Sequence, residues 1–204
     1  MVHYKNSFLK PTEDFRNLQL LEEVARDSDI SQRKLASKLG LALGVTNACL
    51  KKMARKGHIK MKGINHKRIA YYITPEGFSE KSRLTYHFLQ HTVHYYVTLK
   101  NNITSKLDLI SGEGVKKLVF YGAGEVMEVA YVCLCATDLK LIGIIDDSPS
   151  KQGKRVFNFC IQSPESVKSL DVEAILITSI RYKEKMLNYL KENKEFKNIK
   201  FYHL

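Results

Sequence analysis

Along the first part of the chain, apolar residues recur at helical spacing three times and then alternate twice. Phe15, Leu18, Leu20, Leu21, Val24 and Ala25 give one apolar face over about Asp14 to Arg26, and Asp27, Ser28 and Asp29 interrupt it. Ser31 is placed to cap a second helix that buries Leu35, Ala36 and Leu39 and stops at Gly40. A third helix, from about Val45 to Lys56, directs Val45, Cys49, Leu50 and Met53 inward and leaves Thr46, Asn47, Lys51, Lys52 and Arg55 outside. Gly57 ends it. Two alternating segments follow, His58 to Ile64 and Arg68 to Ile73, with Asn65-His66-Lys67 as a hairpin tip.

Pro75 suits a first helical turn, and no further proline occurs from Glu76 to about Ile110, so one long helix is predicted there. Leu89, Tyr96, Ile103 and Ile110 recur every seven residues, with Thr92 and Leu99 between them, as in a partial coiled-coil seam. A two-fold homodimer through this helix is the expectation; packing of the helix against its own C-terminal domain is the competing one. Beyond it the pattern becomes α/β. Strand Lys117 to Tyr121 leads through Gly122-Ala123-Gly124 into a helix over Val126 to Ala136, and a second strand spans Leu139 to Ile145. Asn158 to Ile161, Ala174 to Thr178 and Ile199 to Tyr202 read as further strands, with helices over Pro164 to Ser169 and Arg181 to Asn193.

The predicted fold class is thus multi-domain α/β: an N-terminal winged helix-turn-helix over 1–75, a long connecting and dimerisation helix over 76–114, and a Rossmann-like open parallel sheet over 115–204. Charge sharpens this. The net charge is +12, yet residues 1–100 carry 18 Lys/Arg against 8 Asp/Glu, whereas residues 101–204 carry 15 against 13. No carboxylate occurs between Ile30 and Pro75. A polyanion is the expected partner, and double-stranded DNA is the one a winged helix fits, because a major groove about 12 Å wide admits one helix. Candidate DNA contacts are Gln32, Arg33, Thr46, Asn47, Lys51, Lys52 and Arg55 on the helices, and His66, Lys67 and Arg68 at the hairpin tip.

Strand, glycine turn and helix together make a phosphate-binding arrangement. The first glycine permits the tight turn, the second lets a phosphate approach, and the helix terminus supplies free N–H groups. Gly122, Ala123, Gly124, Glu125 and Val126 are the candidate cradle. Asp146 and Asp147, which begin 24 residues beyond Gly122, are candidate acceptors for ribose hydroxyls. Met127 stands at the third glycine position, where close helix–strand packing is usual, so the cofactor, NAD or a nucleotide-sugar, stays open.

The segment ISQRKLASKLGLALGVTNACLKKMARKGHIKMKGI, followed by YYITPEGFSEKSRLTYHFLQ, resembles the MarR-type winged-helix regulators associated with exopolysaccharide gene clusters. That resemblance implies transcriptional control, extending to polysaccharide biosynthesis genes. Through VFYGAGEVMEVA, LIGIIDDSPSKQGKRV and Ser163-Pro164-Glu165, residues 117–204 resemble the small Rossmann-like domains that precede sugar-modifying enzymes of polysaccharide synthesis. They are also similar to the NADH-sensing half of Rex-type redox repressors. The alternatives kept are therefore a Rex-like NAD(H)-responsive repressor and a sugar-nucleotide enzyme remnant with a basic interaction module.

Catalysis is not expected, since an enzyme needs proton-transfer groups placed near a bound substrate and the sequence pattern points to none. Tyr96 and Lys100 imitate a reductase pair but precede the glycine turn. Cys49, Cys133, Cys135 and Cys160 lack metal-ligand or disulfide spacing. His87, His91 and His94 share a helical face without a carboxylate or cysteine to complete a site, so no metal is predicted. No apolar run reaches the roughly 20 residues a membrane span needs, and MVHYKNSFLK lacks a secretory apolar segment. A cytoplasmic protein without membrane partners is expected.

Overall fold

The structure, a computed structural model, describes residues 12–65, 68–193, 196 and 198–204. It divides into two compact units, Met1–His94 and Tyr95–Leu204. The division differs from the three-part partition above, because it falls inside the long helix instead of setting that helix apart.

The first unit holds α1 (Glu13–Arg26), α2 (Gln32–Leu39), α3 (Leu43–Arg55), β1 (Ile59–Asn65), β2 (Arg68–Ile73) and the start of α4 (Pro75–Gly112). Local chemistry sets its boundaries. Thr12 caps α1 by accepting from the Phe15 amide, Ser31 caps α2 by accepting from the Lys34 amide, and Gly40 ends α2 in the left-handed region at φ 63°. Leu20 and Leu21 of α1, Leu35 of α2, Leu50 and Met53 of α3, Ile59 of β1, Tyr71 of β2 and Leu84 of α4 share one core. β1 and β2 pair antiparallel, with a bulge between Gly63 and Asn65. The Tyr71 amide donates to Ser28 O at 2.8 Å, which ties the α1–α2 loop to the hairpin.

A tight joint fastens the hairpin to α4. The Thr74 amide donates to His58 O, and its hydroxyl donates to Gly57 O at 2.6 Å while accepting from the Gly77 amide at 3.0 Å. Gly77 is pressed against the His58 backbone so closely that a Cβ there would lie 1.8 Å from the carbonyl oxygen.

The second unit is a six-stranded sheet in the order β5-β6-β4-β3-β7-β8, built from β3 (Lys117–Tyr121), β4 (Lys140–Ile145), β5 (Arg155–Val156), β6 (Phe159–Gln162), β7 (Ala174–Ile177) and β8 (Lys200–His203). All neighbours pair in parallel except the β5–β6 hairpin. Parallel sheets are buried on both faces, and the strand alternation shows how. Leu118 and Phe120 join Met127 and Ala130 of α5 (Glu125–Leu134) and Ile103, Leu107 and Ile110 of α4 on one face. Val119 and Tyr121 join Met186 and Leu190 of α6 (Lys183–Glu192) on the other.

The seven-residue seam does not hold as one stripe. Ile103 and Ile110 are buried in this unit's own core, while Leu89 and Tyr96 are exposed. The repeat combines two different packing jobs, and its C-terminal half follows the competing expectation. Among the described residues, no helix is long and apolar enough to cross a membrane.

Candidate functional site

On α3 the exposed arc is Leu43, Gly44, Val45, Ala48, Lys51, Lys52 and Arg55. Lys51 and Arg55 lie one turn apart on it, and Lys52 beside them forms an ion pair with Glu13 of α1. Arg33 is exposed at the start of α2.

Two sequence-stated positions move. Thr46, expected on the outer face, is 0% exposed and cannot be a DNA contact, whereas Val45, expected inside, is 39% exposed. The buried stripe is Thr46, Leu50 and Met53, with Cys49 half-buried at its edge. A threonine tolerates that place because its hydroxyl donates to Ala42 O at 3.2 Å. Hydropathy alone ranks Val45 as the core residue, and only the backbone bond reverses the order. Gln32 is drawn into the fold as well, donating to the Tyr71 hydroxyl at 2.7 Å. Asn47 is half-buried, with its Oδ1 enclosed and without a hydrogen bond among the described residues. His66 and Lys67 lie outside the described residues, as does the side chain of Arg68.

The second candidate site lies at the carboxyl ends of the strands. Chain connections leave β3 toward β4 on one side and reach β7 on the other, so the crevice outside β3 and β7 is a topological switch point. Gly122 turns the chain there at φ 111°, a region that favours glycine, and its amide donates to Ile145 O at 2.8 Å. Thr178 donates to Gly122 O at 2.8 Å, and a Cβ on Gly122 would meet Ser179 Cβ at 3.2 Å. Gly124 stands at the N-terminus of α5 with no side chain capping the helix, and a Cβ there would meet nothing within 4 Å. Glu125 and Glu128 put two carboxylates on that first turn, so an anionic ligand shares the terminus with them. Met127 is buried in the core between α5 and the sheet.

Asp146 is not presented to a ligand. It is 5% exposed, and its carboxylate accepts from the Ala123 amide (2.8 Å), the Ser148 amide (2.8 Å) and Lys151 Nζ (3.0 Å). It staples the glycine turn to the loop after β4. Asp147 accepts from the Tyr121 hydroxyl and from Lys185 Nζ at 3.1 Å. Burial, and then the neighbouring Asp147 charge, push the Tyr121 phenol well above its ordinary range, so it stays a donor. The turn at Gly122 and Gly124 and the uncapped α5 terminus are where the sequence-predicted cradle lies, whereas the two aspartates are engaged in holding the loops. The sequence signal for this engagement was the dense run Asp146-Asp147-Ser148-Pro149-Ser150-Lys151 itself, which supplies acceptor, turn amides and counter-ion within one loop.

Comparison with known proteins gives separate matches for the two units. Residues 16–60 match a family model described as winged helix-turn-helix DNA-binding, and residues 114–199 match one described as C2185-like, N-terminal. No curated protein matches the chain. Among solved structures, similarity is found to the zinc-dependent MarR family transcriptional regulator AdcR in its Zn(II)-bound state, at 16% identity and TM-score 0.34 over 55% of this chain and 82% of that one. A Rex-family repressor, RSP, is similar at 12% identity and TM-score 0.34 over 98% of this chain and 88% of its own. RSP in complex with β-NAD+ and operator DNA is similar at 13% identity and TM-score 0.34, over 98% and 88%.

Proposed function

We propose that this chain is a DNA-binding transcriptional regulator that works as a homodimer and responds to a nucleotide-type ligand in its C-terminal unit. The observation that carries the reading is the surface of α3: Lys51, Lys52 and Arg55 exposed on one helix of a winged fold, inside a stretch without a carboxylate from Ile30 to Pro75. On a helix entering a major groove, such side chains face base edges and phosphates.

The dimer reading is supported by α4. Residues 85–98 are exposed all round, and they include Tyr86, Leu89, Val93, Tyr96 and Val97. So much apolar surface on one solvent-facing helix is accounted for by a second copy packed along it. Two recognition helices would then meet half-sites about 34 Å apart. The ligand reading is supported by the turn at Gly122 and Gly124 and by the α5 terminus; NAD(H) and a nucleotide-sugar are the two classes it takes. Polysaccharide biosynthesis genes as targets, and a cytoplasmic location, complete the proposal. It assigns the chain no catalytic step.

The test is DNA affinity for duplexes selected by the full chain from a random pool. Log affinity should fall with log salt by about 0.9 per phosphate contacted. Lys51→Glu and Arg55→Glu should each weaken binding by more than about tenfold, because each replaces a phosphate-facing cation with a repelled anion. Unchanged affinity in both variants refutes α3 as the reading element. Mass spectrometry of small molecules retained by the purified chain, followed by DNA titration with and without NADH, tests the ligand; equal affinities refute coupling.

A further inference from the structure

In the second unit, three elements meet around an open groove of about 540 Å³, within the roughly 300–1,000 Å³ typical of small-molecule sites. α4 contributes Asn102, Ser105, Lys106 and Leu109, whose i, i+3, i+4, i+7 spacing makes them one stripe of the helix. That stripe runs beside Ile103, Leu107 and Ile110, which are buried in this unit's core, so the packing of α4 fixes where it points. Lys183, the first residue of α6, and His203, the last of β8, line the groove from the other side. β8 is an edge strand two places from β3, and none of Gly122 to Val126 lines the groove. At about 4.8 Å per strand, β8 ends about 10 Å from the glycine turn.

Charge gives the groove its chemistry. Lys106 and Lys183 are both half-buried, and no side-chain carboxylate lines the groove with them. Asp108 and Glu184, close by in sequence, are exposed and outside the lining. Elsewhere in this unit Lys117, Lys151, Lys185 and Lys200 each form an ion pair with an Asp or Glu. Among the described residues, Lys106 and Lys183 meet no such partner. Lys183 Nζ reaches Leu204 O at 3.5 Å, the far limit of a hydrogen bond, and His203 Nδ1 lies 3.4 Å from the same oxygen. Even with that oxygen counted as a full carboxylate, two lysines leave the lining cationic. Each ammonium group has given up part of its water without gaining a side-chain anion, a cost that a ligand bringing negative oxygens offsets.

We propose that this groove binds a small phosphorylated metabolite of sugar-phosphate size, with Lys106 and Lys183 on the phosphate and Asn102, Ser105 and His203 on the hydroxyls. A lysine meets phosphate as a point charge with three donors. An amide, a hydroxyl and a neutral imidazole each donate and accept, as sugar hydroxyls require. Leu109 supplies an apolar wall for the C–H face of the ring. The site is separate from the glycine turn and holds whether or not that turn takes a nucleotide. Occupancy ties α4 to the sheet edge by polar bonds, beside the apolar packing that already holds the helix.

Isothermal titration calorimetry of the full chain with glucose 6-phosphate and fructose 1,6-bisphosphate tests the site, with glucose as the uncharged control. At least one phosphorylated probe should bind with Kd below about 1 mM, and Lys106→Gln and Lys183→Gln should each weaken it by more than about tenfold. Glucose should give no heat of binding. Lys140→Gln, which removes an exposed cation at the amino end of β4, should leave the affinity unchanged. A second measurement needs no variant: the bound probe should slow acetylation of Lys106 and Lys183 by acetic anhydride, followed by mass spectrometry, while Lys140 keeps its rate. Binding of neither probe, affinity unchanged in either groove variant, or acetylation of the two lysines unaffected by the probe overturns the assignment. So does a loss in Lys140→Gln as large as theirs, which marks an adventitious attraction to a basic chain.

Discussion

A methyl group added at Gly77 has nowhere to go. Its Cβ would lie 1.8 Å from His58 O, 2.7 Å from His58 C and 3.0 Å from Ile73 Cγ1. Carbon–oxygen contacts of this kind settle at about 3.3–3.6 Å, so the two backbones must part by at least about 1.5 Å. That movement carries away the Thr74 amide bond to His58 O and strains both bonds of the Thr74 hydroxyl, to Gly57 O and from the Gly77 amide. Overpacking costs about 1–3 kcal/mol and a lost helix cap about 1 kcal/mol, while Gly to Ala within a helix ordinarily returns about 0.5–1 kcal/mol. Gly77→Ala should therefore destabilise the first unit by about 2–3 kcal/mol. At roughly 4–8 °C per kcal/mol for a domain of this size, its thermal transition should fall by about 10–20 °C. Gly44→Ala is the matched control, because a Cβ there meets nothing within 4 Å and α3 should gain a few tenths of a kcal/mol, about 0.5. Thermal unfolding followed by circular dichroism on both variants reads the difference. If Gly77→Ala melts at or above the unmodified chain, the close approach of α4 to the hairpin is not real.

Asp146→Asn should cost about 1–3 kcal/mol in ligand-free stability of the second unit, since a buried acceptor of three bonds loses its charge; chemical denaturation reads this, and unchanged stability would return Asp146 to the role of a ribose contact. Tyr202, its phenol pushed up to about 12 by burial and by Glu113, keeps its proton in the folded state when the unfolded chain has begun to lose it near 10. Its contribution is therefore fully present below about pH 10 and lost as pH climbs toward 12, and Tyr202→Phe should flatten that part of the stability profile; an identical alkaline decline in the variant speaks against it. Leu89→Lys should shift the chain toward monomer in sedimentation without lowering either thermal transition, whereas Ile103→Lys should unfold the second unit; a dimer that survives Leu89→Lys excludes this face as the interface.

How much of this could be read from residues alone depended on the kind of signal. Ser31, Gly40 and Pro75 are punctuation that acts locally, so the helix ends near them are legible without any tertiary knowledge. The run Lys117 to Tyr121 was legible as a strand because a central parallel strand must be apolar on both faces. Where a side chain's place depends on one particular partner, the pattern misleads. Thr46 is buried on the strength of one bond to Ala42, Ile103 and Leu89 have the same heptad phase but different neighbours, and the Asp146 carboxylate is taken up by an amide 23 residues earlier. The hairpin partner Arg155–Val156 was missed because two residues carry no periodicity. Of the candidate contacts, the cations of α3 were legible from charge, while Gln32 was not separable from them until its bond to Tyr71 was seen.

Asp146 gives the glycine turn a resident rival. The Ala123 amide, one of the groups the proposed ligand's phosphate would meet, already serves a carboxylate held on the neighbouring loop after β4. A visiting anion must displace that tethered competitor, or make do with the neighbouring amides, so its apparent affinity is lowered by the fraction of time the loop is closed on itself. For the ligand proposed above, the strength of the Asp146–Lys151 pairing would set a threshold: weakening it should let a scarce metabolite register, and strengthening it should reserve the response for an abundant one.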